Sequence, residues 1–80
     1  MDIKILGPGC PRCEDLIKRT INVLAELNIA VNVEKVADIK QMMTFGILAT
    51  PALVINGKVR CVGRIPRPEE IKGWILEAKA

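Results

Sequence analysis

Three cysteines and no histidine mark where chemistry can occur in this 80-residue chain. Cys10, Pro11, Arg12 and Cys13 form a C-x-x-C run, and Cys61 stands alone. The lack of histidine removes imidazole zinc sites, Ser–His and Cys–His nucleophile pairs, and histidine general-base catalysis. A thiolate is the attacking species in disulfide exchange. Two cysteines three positions apart on a first helical turn place their sulfurs on one side, close enough to bridge. Such a pair can exchange electrons with a substrate disulfide. It can also grip a soft metal, supply half of a zinc site whose other ligands this chain lacks, or be incidental. Redox chemistry is the first expectation.

The position of each cysteine divides the work. Cys10 falls at a helix start, where free N–H groups and the helix dipole favour a thiolate, and Arg12 adds positive charge beside it. Cys13, one turn further in, is expected to be less exposed and to resolve a mixed disulfide. Cys61 lies between Arg60 and Val62 in an expected strand, where cysteine usually serves as a small buried hydrophobe. A regulatory or cross-linking thiol is the alternative for it.

The elements that must hold these residues are legible along the chain. Ile3, Ile5 and Leu6 form a short apolar run that stops at Gly7-Pro8-Gly9, as a strand does. Proline suits a first helical turn, so Pro11 opens a helix. Leu16, Thr20, Val23 and Leu27 carry its buried stripe, and Asn28 is its stop. Val31, Val33 and Val36 then give a second strand, and a strand after a helix begins a parallel βαβ crossover. Asp38-Ile39-Lys40-Gln41 starts a short helix bearing Met42 and Met43, both expected in the core, with Gly46 at its end. Phe45 is the residue of this stretch left for a soft partner-binding surface.

Ala52–Ile55 and Lys58–Val62 flank Asn56-Gly57, the strongest short hairpin signal. Pro68-Glu69-Glu70 opens a last helix whose stripe is Ile71, Trp74, Ile75 and Ala78. The expected order is β-α-β-α-β-β-α within one α/β domain, residues 1–80.

Composition bounds the rest. Half the residues are hydrophobic, which excludes a disordered tail. The net charge is +3 but the basic residues are interspersed with acids, and only Phe45 and Trp74 are aromatic. Nucleic-acid binding, which uses a basic stripe with stacking platforms, is not expected. Lys58, Arg60, Arg64 and Arg67 make a loose basic cluster, expected to be a solvated face. The start Met1-Asp2-Ile3-Lys4 has no secretory pattern. The uncharged run from Gln41 to Gly57 is broken by Gly46, Pro51 and Asn56, so it reads as buried core and no membrane contact is expected. A cytoplasmic location is the default, and cysteines at short spacing in that reducing compartment point to redox or metal chemistry.

Ala49-Thr50-Pro51-Ala52-Leu53 adds the second motif. Gly-Pro-Gly-Cys10-Pro-Arg-Cys13 after the first strand, Thr50-Pro51 entering the third and Gly63 after the fourth together resemble the thioredoxin/glutaredoxin fold. Length and pattern are most similar to the small glutaredoxin-like thioredoxins of archaea and bacteria. The resemblance spans Asp2 to about Ala78. It implies a four-stranded mixed sheet flanked by helices and a thiol–disulfide oxidoreductase acting on protein disulfides. Cys10 matches the attacking cysteine and Cys13 the resolving one, with their disulfide as the redox centre and no other cofactor or metal. Pro51 matches the proline whose preceding bond is cis, and Thr50 the residue whose backbone pairs with an extended substrate. Pro11, Arg12 and Gly63 belong to the site's outline, and Lys35 matches a lysine found near the disulfide. The partners implied are disulfide-bearing proteins and a thioredoxin-reductase-type flavoprotein, served by a monomer.

Three departures qualify the transfer. Gly9 stands where thioredoxins carry tryptophan, and Lys4 stands at the position of their buried aspartate, so no carboxylate relay is expected there. Gly63 is followed by Arg64-Ile65-Pro66 rather than the glutathione-holding residues of glutaredoxins, so glutathione is not expected as reductant. The runner-up is a soft-metal carrier using the same C-x-x-C. Copper carriers, however, run βαββαβ, and Thr50-Pro51 has no job in one.

Overall fold

The chain, described from a computed structural model for every residue except Gly9, Cys10, Leu48 and Ala80, alternates short strands with three helices. The order is β1 (Ile3–Leu6), α1 (Pro11–Glu26), β2 (Val33–Val36), α2 (Ile39–Thr44), β3 (Ala52–Ile55), β4 (Lys58–Val62) and α3 (Pro68–Lys79). This is the expected α/β order. The sheet runs β2-β1-β3-β4. β1 and β2 pair in parallel, as a helical crossover between them requires, while β1–β3 and β3–β4 pair antiparallel.

Local chemistry explains where the elements stop. Asn28 takes a left-handed φ of 58° just past α1. Its N–H reaches Ala25 O at 3.1 Å and Ile29 N–H reaches Leu24 O at 2.9 Å, the paired bonds of a Schellman stop. Gly46, at φ 72°, ends α2 in the same way, with Ile47 N–H on Met42 O at 3.1 Å. Asp38 caps α2 by accepting from Lys40 N–H at 2.9 Å. Asn56 and Gly57 both have positive φ, as a tight hairpin between twisted strands demands.

The strands' two-residue period divides the core into two layers. Ile3, Ile5, Leu53, Ile55 and Cys61 point to one face, where α1 brings Leu16, Val23 and Leu24 and α3 brings Ile71 and Ile75. Leu6, Val36, Ala52 and Val54 point to the other, where Met42 and Ile47 cover them and Phe45 packs at the margin. Met43 does not join Met42: it is 69% exposed, as Ile39 is at 71%. A helix of six residues presents little more than one side to the sheet, so residues four apart on its far side stay in water. β2 begins at Val33, leaving Val31 packed against the first layer outside the ladder. Among the described residues, no helix is long and apolar enough to cross a membrane.

Candidate active site

The parallel β1–β2 pair and the helix that joins them set the site. β1 ends at Leu6, Gly7 follows with its N–H on Val36 O at 2.9 Å, and α1 starts at Pro11. Pro11 is exposed at the first helical position, where a missing N–H costs nothing. Cys13, on that first turn, is only 2% exposed. Its sulfur lies against Gly7 so closely that a Cβ on Gly7 would collide with Cys13 Sγ. The Cβ of Thr50 lies 3.7 Å from the same point. Gly7, Cys13 and Thr50 therefore meet at one spot, and the close approach is possible because residue 7 has no side chain. Cys10, the expected nucleophile, lies outside the described residues.

The strand that carries Thr50 enters β3 through Pro51. The Thr50–Pro51 peptide bond is cis, and Pro51 is fully buried. Pro51 O accepts from Gly63 N–H at 2.8 Å, tying the start of β3 to the end of β4. Gly63 sits at φ 75°, and a Cβ there would come 3.2 Å from the Cβ of Ala49. Arg12 completes the enclosure, its Nη2 donating to Gly63 O at 3.2 Å. So Arg12, Gly63 and Pro51 form a chain of contacts between α1 and the two antiparallel strands.

Lys35 stands apart from this cluster. β-register places it beside Ile5, and its ammonium pairs with Glu14 at 3.3 Å. It reaches the site through the residue that follows Cys13. Lys4 pairs with Val54 across β1 and β3, so it shares Val54's face, opposite α1. There its ammonium lies 5.6 Å from the centre of the Phe45 ring and 3.6 Å from Asp2.

Cys61 fills space. It is 5% exposed within the first core layer, and its thiol donates to Arg64 O at 3.4 Å. Burial pushes its pKa up, against a smaller opposing pull from Arg64. That favours an inert thiol. The loop between β4 and α3 is held on several sides. Arg64 grips Glu70 through two bonds of 3.2 and 2.9 Å, and Glu70 also accepts from Arg67 N–H at 3.2 Å. The Arg64 guanidinium, helped by the Arg67 N–H, holds the Glu70 carboxyl down at a pKa of about 2. The basic cluster is thus partly neutralised, with Arg60 also 3.5 Å from Glu77.

Sequence reasoning alone missed three participants. From the sequence Gly7 reads only as a strand stop, Glu14 only as the i,i+4 partner of Lys18 opposite the apolar stripe of α1, and Ala49 only as a flank of Thr50-Pro51. No local signal pointed to them, because Glu14 and Ala49 act through residues distant in the chain and Gly7 through the seating of α1 against the end of β1. Among the described residues, no group of three or more His, Cys, Asp or Glu is placed to hold a metal ion.

Residues 1–76 match the Thioredoxin domain family. The chain is 36% identical over 72 residues to a thioredoxin of Methanothermobacter thermautotrophicus, covering 90% of this chain and 94% of that protein. It is 31% identical over 70 residues to a thioredoxin of Methanocaldococcus jannaschii, covering 88% and 80%. A probable thioredoxin of Archaeoglobus fulgidus is 35% identical over 75 residues, covering 90% and 78%. With the order of elements, the mixed sheet and the place of the C-x-x-C at the start of α1, these matches make the chain a member of the thioredoxin family of thiol–disulfide oxidoreductases.

Proposed function

We propose that the Cys10–Cys13 pair reduces disulfides of protein substrates in the cytoplasm, without a further cofactor, and is itself re-reduced by a thioredoxin-reductase-type flavoprotein. The observation that carries this reading is the burial of Cys13 against Gly7 and Thr50 on the first turn of α1. A cysteine that is 2% exposed is closed to an external disulfide, so it can act only on a bond that its own chain holds next to it. That is the role of a resolving cysteine.

The reaction then runs in two exchanges. The Cys10 thiolate attacks one sulfur of the substrate disulfide, forming a mixed disulfide and releasing the other sulfur as a thiolate. Cys13, as thiolate, attacks the Cys10 sulfur and expels the second substrate thiolate. The substrate gains two electrons and, with two protons, becomes a dithiol; the Cys10–Cys13 pair loses the same two electrons. Thr50, beside Cys13 and ahead of Pro51, offers backbone groups to an extended substrate segment. Pro51 and Gly63 keep that segment's bed in place through their 2.8 Å bond.

The metal-carrier alternative gains no support. The element order ends β-β-α instead of β-α-β, and the relatives are thioredoxins. Reduction of a disulfide-bonded protein with dithiothreitol as the electron source tests the proposal. Cys10→Ser should abolish turnover, and Cys13→Ser should accumulate a stable mixed disulfide with the substrate. Undiminished turnover in Cys10→Ser would refute it.

A further inference from the structure

We propose that Arg12 is a specificity-determining residue that favours substrates carrying a carboxylate next to their disulfide. The inference rests on the reaction proposed above. Arg12 is one of the two residues between the cysteines in sequence, and it stands one position before the buried Cys13. In the structure this group spans from α1 to the loop after β4, donating from Nη2 to Gly63 O at 3.2 Å. Gly63 in turn donates to Pro51 O at 2.8 Å. The guanidinium is therefore linked through Gly63 to Pro51, next to the Thr50 backbone that the proposed function assigns to substrate.

The charge balance around it is uneven. Lys35 is neutralised by Glu14, and Arg64 by Glu70. Arg12 makes no ion pair among the described residues. Its partner is a neutral carbonyl and the bond is solvent-exposed, so most of its donors remain open. Arg19, two turns along α1, makes a comparable bond from Nη1 to Pro66 O at 3.1 Å, but that one is half-buried. Arg19 therefore anchors the loop, and Arg12 can leave it without detaching the loop from α1. A carboxylate offers the guanidinium two charge-assisted bonds in place of one neutral bond. Water replaces Arg12 at the exposed Gly63 carbonyl, so the exchange leaves no buried group unpaired.

The test uses two disulfide-bridged peptides that differ only in Glu or Gln beside one cysteine. Wild type should turn over the Glu peptide with a kcat/KM about 1.4- to 5-fold higher at low salt, the size expected of an exposed ion pair. The gain should lie in KM and shrink at high salt. In Arg12→Gln the ratio should fall to about 1. Arg12→Lys, which keeps the charge without the planar fork, should lie between. Any general slowing of the Cys10 attack in these variants cancels, because the ratio is taken within each protein. Equal kcat/KM for the two peptides in wild type, or a preference that survives in Arg12→Gln, overturns the proposal. Loss of turnover of both peptides by wild type would instead refute the oxidoreductase reading beneath it.

Discussion

Alanine at position 7 should destabilise the fold through one atom, the sulfur of Cys13. The Gly7 backbone does not lie in the left-handed region, so alanine meets no conformational penalty there. The penalty is steric, because the new methyl would collide with Cys13 Sγ. Forcing an extra methyl into a packed site costs about 1–3 kcal/mol. Stiffening the unfolded chain by Gly→Ala returns about 0.4–1 kcal/mol. From the middle of the two ranges the net loss is about 1.3 kcal/mol, or a fall in Tm of about 5–10 °C for a domain of this size. Removing the sulfur should remove the cost. With Cys13→Ala the nearest atoms are the Cβ of residue 13 at 3.5 Å and of Thr50 at 3.7 Å, both ordinary contacts. Gly7→Ala should then be neutral or slightly stabilising, so the double-mutant cycle should show a coupling of about 1–3 kcal/mol. Urea unfolding of the four reduced proteins measures it. An equal loss from Gly7→Ala with and without the sulfur, or no loss in either, refutes the claim that residue 7 must be glycine to seat Cys13.

Two further outcomes follow from the loop after β4. Gly63→Ala should cost about 1–2 kcal/mol, since a left-handed φ is unfavourable for alanine, and the approach to the Ala49 Cβ at 3.2 Å adds to it; thermal unfolding reads the loss. The second concerns pH. Glu70 has a folded pKa of about 2, lowered from 4.5, so its contribution to stability is present above 4.5 and lost as pH falls from there towards 2. Glu70→Gln should therefore be less stable than wild type near neutral pH, and the difference should narrow through that window. A difference independent of pH between neutrality and 2 counts against the Arg64–Glu70 pair as its source.

How far the site was legible depends on the range of the interactions that make it. Helix α1 and its stop at Asn28 follow from apolar spacing and from a residue tolerant of positive φ, both acting within a few positions. The Asn56-Gly57 hairpin and the Gly46 stop are local in the same sense. Met43 shows where such reasoning ends. Helical spacing makes it as good a core candidate as Met42, but only the seating of a six-residue α2 on the sheet decides which methionine faces inward.

The sequence by itself determined the β-α-β-α-β-β-α order and the place of Cys10-Pro11-Arg12-Cys13 at a helix start. These depend on periodicity, turn chemistry and the missing proline N–H, which neighbours along the chain impose on one another. Tertiary structure alone decided that Gly7 gives room to the Cys13 sulfur. It also decided that Lys35 answers to Glu14, and that Arg12 reaches Gly63 across a separation of 51 positions. Such contacts are set by strand register and by the packing of α1 on the sheet. Both are properties of the folded core as a whole, and no short stretch of residues carries them.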